Sequence, residues 1–307
     1  MATHAAIPMR PVIWMIQLLR RWGGFVRFSH TVFALPFAMA SMAVAAREHR
    51  GWPGWRVFLL VLAAMVMART CAMAFNRIMD REFDRANPRT AMRDLPAGRI
   101  SLFSAWTLCV ASGSAFIGVS YAINSVCFWL SPLALLIVCF YSLTKRFTDF
   151  THFYLGAALA LAPLGAWLAV RGRLDFEPVL LGIIVVCWLV GFDIIYAIQD
   201  YEFDRRHGLH SLVVRWGVQN ALVFSFLVHM IMWGLLFALG LLLRFRVAYL
   251  SGLMLILACL VLEHWLARKR SLKWINVAFF RLNAVISVVF LIVVLAEVVF
   301  PGFRVVR

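Results

Sequence analysis

The chain has 307 residues, of which 64% are hydrophobic and only 14% are charged. Soluble domains are about 45–50% apolar and about 25% charged, so this composition excludes an ordinary soluble protein and predicts an integral membrane protein. The net charge of +16 does not indicate nucleic acid as a partner, because the basic residues are spread over loops and form no nucleic-acid-binding motif. We expect anionic lipid headgroups of the bilayer and a phosphorylated substrate to balance this charge instead.

Apolar stretches long enough to cross a hydrocarbon core of about 30 Å recur along the whole chain. The predicted fold is therefore an all-α integral membrane protein with nine transmembrane helices. Residues 1–307 are expected to form a single membrane domain, with residues 1–27 as a cytoplasmic or interfacial segment because charges interrupt them throughout. The nine spans are expected at about 28–46, 56–76, 102–123, 126–143, 153–170, 179–197, 219–243, 247–266 and 275–299.

Lysine and arginine residues between the spans predict how the protein is oriented in the membrane. With the N-terminus inside, 19 basic residues fall on the cytoplasmic side and 9 on the opposite side. Arg69 and Arg281 lie within spans and count for neither side. We therefore expect a protein of the bacterial cytoplasmic membrane with its N-terminus in the cytoplasm.

One acidic octapeptide occurs twice, each time directly after an apolar span. Residues 78–85 read IMDREFDR and residues 198–205 read IQDYEFDR, so six of the eight positions are identical. The two octapeptides hold six of the 14 acidic residues of the chain, and both fall on the predicted cytoplasmic side. Each follows the second span of a set of four. The chain is therefore predicted to contain two four-helix repeats plus one helix, with a ligand site at the interface between the halves.

The aspartates of the octapeptides are spaced for a common site. Asp80 and Asp84, like Asp200 and Asp204, are four residues apart and would point to the same side of a helix. Asn76 extends the first pair to a polar stripe at positions i, i+4 and i+8. Carboxylate and amide oxygens suit Mg²⁺, which binds one or two carboxylates together with the phosphates of a substrate.

Basic side chains near the octapeptides are candidates for binding phosphate. Carboxylates for a metal ion beside arginines for phosphate predict a site that holds a diphosphate and helps it to leave. A single acidic pair at a helix end is more often a helix cap or the partner of an arginine, but two copies in one repeat favour a functional site. The basic candidates are Arg77, Arg85, Arg89, Arg93, Lys145, Arg146, Arg205 and Arg206.

Asp193 is a separate candidate, because it lies inside an apolar span near Tyr196 and about two helical turns before Asp200. An ionisable residue within a membrane span indicates function by default. The alternative is a hydrogen-bonded packing residue. His152, which lies near Lys145 and Arg146 in the sequence, is ambiguous as a site residue.

These motifs resemble those of the UbiA superfamily of intramembrane prenyltransferases. Residues Asn76–Asp84 have the family's NxxxDxxxD form. Residues 87–98, NPRTAMRDLPAG, resemble its NxRTxxRPLPxG stretch, with Asp94 in place of a proline. Residues 193–204, DIIYAIQDYEFD, resemble its second acidic signature, and residues 141–148, YSLTKRFT, resemble its YPxxKRxT element with a serine in place of the proline.

The resemblance implies nine transmembrane helices around a central cavity, and Mg²⁺-dependent transfer of a prenyl chain from its diphosphate to an acceptor. It implies Asp193 as a residue that orients the acceptor or removes the proton of the acceptor ring. Carried over by position, the metal ligands and catalytic aspartates would be Asn76, Asp80, Asp84, Asp200 and Asp204. The substrate-binding residues would be Asn76, Arg77, Arg89, Arg93, Tyr141, Lys145, Arg146 and Tyr196.

The acceptor has two candidates within the family. The second acidic signature most resembles the 4-hydroxybenzoate polyprenyltransferase branch, which joins a polyprenyl chain from polyprenyl diphosphate to a hydroxylated aromatic acid in quinone biosynthesis. Residues 28–37, FSHTVFALPF, look more like relatives assigned to the prenylation of 1,4-dihydroxy-6-naphthoate in the futalosine route to menaquinone. From another class, a membrane carrier also uses repeats and intramembrane carboxylates, although its polar residues should lie at mid-span rather than at helix ends.

Overall fold

The computed structural model describes residues 22–25, 31–269, 271, 274–275 and 277–300. Within these ranges the protein is all-α, as predicted. Eight helices are long and apolar enough to cross a membrane, and a shorter apolar helix precedes them. The prediction of nine spans is thus confirmed for eight of them. Residues 1–21, most of the expected interfacial segment, lie outside the described residues.

The long helices follow the predicted spans closely. A single turn of π-helix, Val277–Leu282, precedes the last of them. The apolar helices are α1 (Thr31–Ala45), α2 (Trp55–Met79), α4 (Leu102–Ile123), α5 (Ser125–Thr144), α6 (Thr151–Arg171), α7 (Phe176–Ala197), α9 (Leu212–Leu242), α10 (Val247–Ala267) and α11 (Asn283–Val299). Two six-residue helices, α3 (Arg81–Ala86) and α8 (Tyr201–Arg206), follow α2 and α7.

One clear difference from the prediction is the start of α9, which lies at Leu212 rather than at about 219. Gly217 has the backbone angles φ 76° and ψ 159° and interrupts the helix at this point. A positive φ is easily adopted by glycine because it has no Cβ. The apolar pattern therefore located the straight part of the helix after Gly217 and missed the turn before the kink.

Close packing in the second half of the chain depends on small and polar residues. Helix α7 packs against α6 and α9, while α1 joins α6 to α11. A Cβ atom on Gly191 of α7 would lie 2.1 Å from the ring of His229 on α9, so only glycine fits at this contact. Ser225 of α9 donates a hydrogen bond of 2.6 Å to the carbonyl of Gly191. Small residues and interhelical hydrogen bonds are the usual means of helix association in membranes.

A buried hydrogen-bonded chain connects α7, α10 and the start of α11. The Nε1 atom of Trp188 donates to Oδ1 of Asn283 at 2.7 Å, and Nδ2 of Asn283 donates to Oε1 of Glu263 at 2.8 Å. All three side chains are fully buried. Because no water reaches these groups, each needs its partner within the protein.

The replacement Asn283→Leu is expected to destabilise the protein, since it removes the partner of both Trp188 and Glu263. Each buried polar group left unpaired costs about 1–3 kcal/mol, so the apparent melting temperature should fall by several degrees. Thermal unfolding in detergent, followed by size-exclusion chromatography, measures this change. Asn220→Leu is the matched control, because Asn220 is exposed on α9. Equal melting of the Asn283 variant and the wild type would contradict the prediction.

Candidate active site

A cavity of about 580 Å³ lies among helices α2, α4, α5, α6 and α7. It reaches from Asp80 at the end of α2 to Ile123, the last residue of α4, and to Leu174, which lies between α6 and α7. We call the part formed by the ends of α2 and α7, with their two octapeptides, the acidic end. The rest of the wall is mostly apolar. The cavity therefore combines one polar end with a long hydrophobic body.

The first octapeptide turns sharply at Asp80, where α2 ends and α3 begins. Nδ2 of Asn76 donates to Oδ2 of Asp80 at 2.9 Å. Asp84 is buried, accepts a hydrogen bond of 2.6 Å from Arg93, and has Arg77 at 3.7 Å. The two aspartates do not share one continuous helix, but both face the cavity. The spacing therefore predicted that both side chains face the same side. It did not predict the break between α2 and α3.

The second octapeptide has the same form and is connected to the first half of the chain. Asp200 accepts two hydrogen bonds from Arg89, one of them from Nε at 2.9 Å, and a third from Asn87 at 3.1 Å. Asp204 is buried and accepts from Nζ of Lys145 at 3.2 Å. Arg89 and Asn87 belong to the loop after the first octapeptide. This loop therefore joins the two acidic motifs into one site.

The pKa values of Asp80 and Lys145 are both raised, for different physical reasons. Burial, followed by the negative charge of Asp84, raises the pKa of Asp80 to about 6, although Lys145 and two arginines oppose this shift. Burial lowers the pKa of Lys145, but the charges of Asp204, Asp200 and Asp193 outweigh it, so that the pKa lies above its usual value. Lys145 is therefore fully charged at neutral pH.

The donor atoms at the acidic end fit a hard cation bound together with phosphate. In the described part of the chain no three acidic, histidine or cysteine side chains form a ready-made metal cage. Mg²⁺ does not require one, since it is commonly held by one or two carboxylates and the phosphates of a substrate. Oδ2 of Asp84 is buried, has Arg77 at 3.7 Å and accepts no hydrogen bond from the described residues, so it is a candidate oxygen ligand.

Every residue that the family resemblance assigned to the site lines this one cavity. These residues are Asn76, Arg77, Asp80, Asp84, Arg89, Arg93, Tyr141, Lys145, Arg146, Asp193, Tyr196, Asp200 and Asp204. Three basic candidates do not: Arg85 pairs with the exposed Glu82, Arg206 lies beside Glu202, and Arg205 is also exposed. They lie on the outward sides of α3 and α8, where helical periodicity turns them away from the aspartates.

Two further side chains, one in the cavity wall and one buried behind it, were given no role from the sequence. Arg69 lies on α2 two turns before Asn76, lines the cavity, and interacts electrostatically with Tyr141. An arginine in the middle of an apolar span was the signal for it. His152 at the start of α6 contacts Asp193, with 2.6 Å between Nδ1 and Oδ2. Only the packing of α6 on α7 brings this pair together, so their contact could not be predicted from one sequence.

Comparison with known proteins shows similarity along most of the chain. The model of the UbiA prenyltransferase family matches residues 34–285. The 4-hydroxybenzoate octaprenyltransferase of Pseudomonas aeruginosa is 30% identical over 226 residues, which cover 72% of this chain and 74% of that protein. The 4-hydroxybenzoate octaprenyltransferase of Francisella tularensis is 26% identical over 287 residues, which cover 92% of this chain and 98% of that protein.

Solved structures are similar in fold. The apo structure of a UbiA homolog from Aeropyrum pernix has a TM-score of 0.78 and 30% sequence identity, and the match covers 87% of this chain and 98% of the other. The structure of a UbiA homolog from Archaeoglobus fulgidus bound to GPP and Mg²⁺ has a TM-score of 0.68 and 21% identity, and the match covers 89% and 99% of the two chains.

Proposed function

The chain belongs to the UbiA prenyltransferase family, and we propose that it transfers a polyprenyl chain from polyprenyl diphosphate to a hydroxylated aromatic acid of the 4-hydroxybenzoate type, with Mg²⁺. One observation carries this proposal: four aspartates and five basic side chains meet at one end of a cavity whose other walls are mostly apolar. A diphosphate fits the charged end, and an isoprenoid chain fits the apolar body. Because the family is one of enzymes, we set the carrier alternative aside.

The acidic end supplies both signs of charge that a metal-bound diphosphate needs. Mg²⁺, held by Asn76 and the four aspartates, would neutralise the charge that develops on the leaving diphosphate. The structure of the UbiA homolog from Archaeoglobus fulgidus, which is bound to GPP and Mg²⁺, supports a site that binds a metal ion together with a prenyl diphosphate. Arg89, Arg93 and Lys145 bond to aspartates in this structure. The same groups would donate to phosphate oxygens, for which guanidinium and ammonium are well suited.

Aromatic rings follow directly on the charged end of the cavity. The rings of Phe33, Phe192, Tyr196 and Phe279 contact one another and line the wall. Loss of diphosphate leaves an allylic cation on the prenyl chain, and the π faces of such rings attract positive charge. This arrangement would stabilise the cation and exclude water from it until the acceptor attacks.

Arg69 is proposed to bind the carboxylate of the acceptor. It lies seven residues before Asn76, and therefore about 10 Å deeper along α2 at 1.5 Å per residue. A guanidinium group at such depth is costly unless it serves an anionic partner. Its planar donors match a carboxylate bidentately. Both candidate acceptors carry a carboxylate. They are 4-hydroxybenzoate, which the names of the relatives specify, and the alternative naphthoate.

We also propose that the acidic end faces the cytoplasm. The basic residues of the chain number 19 on that side of the membrane and 9 on the other. Such a bias orients membrane proteins with the richer side inside.

The test uses purified protein in detergent or lipid with Mg²⁺ and a polyprenyl diphosphate. The acids 4-hydroxybenzoate and 1,4-dihydroxy-6-naphthoate are supplied separately, and mass spectrometry follows prenylated product and diphosphate. We expect prenylated 4-hydroxybenzoate that disappears when EDTA removes the metal. If only the naphthoate is prenylated, it takes the place of 4-hydroxybenzoate as the proposed acceptor. If folded protein prenylates neither acid, the proposed function is overturned.

A further inference from the structure

The cavity ends, opposite the acidic end, against a packed group of side chains. Four residues from four helices line it there: Val61 of α2, Ile123 of α4, Cys127 of α5 and Ala166 of α6. We call these four residues the floor. They belong to one hydrophobic cluster with residues that do not line the cavity, among them Met42, Phe58 and Ala169. Towards α1 the cavity therefore stops at the floor, because packed side chains fill the space behind it.

The depth of the floor corresponds to a limited number of isoprene units. Val61 lies 19 residues before Asp80 (80 minus 61), which is about 28 Å along α2 at 1.5 Å per residue. An extended isoprene unit adds four chain bonds, or about 5 Å at the ~1.2 Å per bond of an extended chain. A metal-bound diphosphate occupies the first few ångströms at the acidic end, so about four or five units reach the floor.

Small side chains keep the cavity open between its two ends. Ala64 and Ala68 of α2 line the wall above the floor, as do Ala162 and Gly165 of α6. Ala64 lies about one helical turn above the floor, at about 24 Å from the acidic end along α2. A chain that starts at the acidic end can therefore extend to the floor, and a larger side chain at position 64 would meet its end.

On the basis of the proposed prenyl transfer, we propose that the floor contacts the end of the prenyl chain and determines the chain-length preference of the enzyme. A chain that moves from the bilayer into the cavity exchanges one apolar environment for another, so added length by itself gains little free energy. Overpacking of an apolar site is costly, because side chains are forced out of their rotamers. Selection therefore occurs where the chain ends. Shorter chains stop above the floor, chains of about four or five units reach it, and longer chains have to bend there.

The test compares the wild type with Cys127→Phe and Ala64→Phe, which add a phenyl ring at the floor from α5 and just above it from α2. Each protein is assayed with Mg²⁺, the aromatic acid that the wild type prenylates, and prenyl diphosphates of two and of five isoprene units. With the two-unit diphosphate both variants should stay close to the wild type, because its chain of about 10 Å ends well above the floor. With the five-unit diphosphate both should lose about tenfold or more in kcat/KM, because the ring occupies the space of the chain end.

Thermal unfolding with Mg²⁺ and either diphosphate, without acceptor, gives a second measurement. The two-unit diphosphate should raise the melting temperature of all proteins equally, and the five-unit diphosphate should raise that of the two variants less than that of the wild type. Val126→Phe is the matched control, because Val126 precedes Cys127 but is exposed and does not line the cavity. Losses that do not depend on chain length, or no loss at all, would overturn the inference. Failure of the wild type to prenylate either acid would overturn the proposed function, whereas the melting temperatures would still decide the role of the floor.

Discussion

Replacing Asp80 by asparagine is expected to lower prenyl transfer by about 10³-fold or more, while the protein stays folded. Stabilisation of a leaving diphosphate by a bound metal contributes several kcal/mol, and each 1.36 kcal/mol corresponds to a factor of ten in rate. Asp80 faces the cavity, accepts a hydrogen bond from Asn76 and has Arg146 at 3.8 Å. An asparagine at position 80 still accepts that hydrogen bond but has no charge to offer a metal. Mass spectrometry of product over time, with saturating Mg²⁺, measures the loss.

The same substitution is expected to stabilise the metal-free protein at neutral pH. The pKa of Asp80 is about 6 in the folded state, against about 4 in an unfolded chain. Between these values the folded protein binds more protons, so its free energy of unfolding falls as the pH rises from about 4 to 6. Above pH 6 the ionised carboxylate destabilises the fold by an amount on the order of 1 kcal/mol, since the side chain is partly exposed to the cavity.

Glu82 provides the matched control for Asp80. It belongs to the same octapeptide, but its side chain is exposed and pairs with Arg81 on the outward side of α3. Glu82→Gln should therefore leave both activity and stability close to those of the wild type. Added Mg²⁺ with substrate diphosphate should raise the melting temperature of the wild type and of Glu82→Gln, but not that of Asp80→Asn. An active Asp80→Asn enzyme would exclude Asp80 from the metal site.

The sequence was sufficient for the features that depend on local pattern. Hydropathy located most helix ends to within a few residues, because the bilayer requires unbroken apolar stretches. The repeat identified the aspartates that face the cavity, since a carboxylate after an apolar span is rarely without function. Local pattern failed where the backbone changes direction. It did not reveal the break at Asp80 or the kink at Gly217.

Contacts between distant residues could not be predicted from one sequence. Arg89 bonds to Asp200, which lies 111 positions later in the chain. His152 on α6 contacts Asp193 on the neighbouring helix α7. Composition did not distinguish Arg89 from Arg85, although only Arg89 turns towards the cavity. A charged residue near a motif is therefore a weak indication of a role. Its direction on the helix, and the element that packs against it, decide whether it reaches the site.

The ion pairs of the site explain how so many carboxylates are tolerated together. Asp84, Asp200 and Asp204 each bond to a basic residue from another segment, namely Arg93, Arg89 and Lys145. A buried charge without a partner would cost several kcal/mol. These ion pairs thus stabilise the folded protein before substrate binds. They also place the phosphate-binding groups next to the carboxylates, so binding requires only an exchange of partners.

Replacing Arg69 by methionine is expected to lower kcat/KM for the aromatic acid by about 10²-fold or more, since breaking a buried ion pair costs about 3–5 kcal/mol. Methionine retains the length of the side chain and suits an apolar span, so the fold should persist. Diphosphate release without acceptor should stay unchanged, because Arg69 lies about 10 Å from the acidic end along α2. Arg281→Met is the matched control, since Arg281 is also a basic residue near an apolar helix but is exposed rather than part of the cavity wall.

The neutral amide of the same aromatic acid isolates the role of the charge. The wild-type enzyme should strongly prefer the acid, because only a carboxylate pairs with the guanidinium group of Arg69. In the Arg69→Met variant this preference should disappear, so that acid and amide become equally poor acceptors. If the variant keeps both the preference and the activity of the wild type, another group binds the carboxylate. If it keeps the preference but loses activity with acid and amide by the same factor, Arg69 only shapes the cavity.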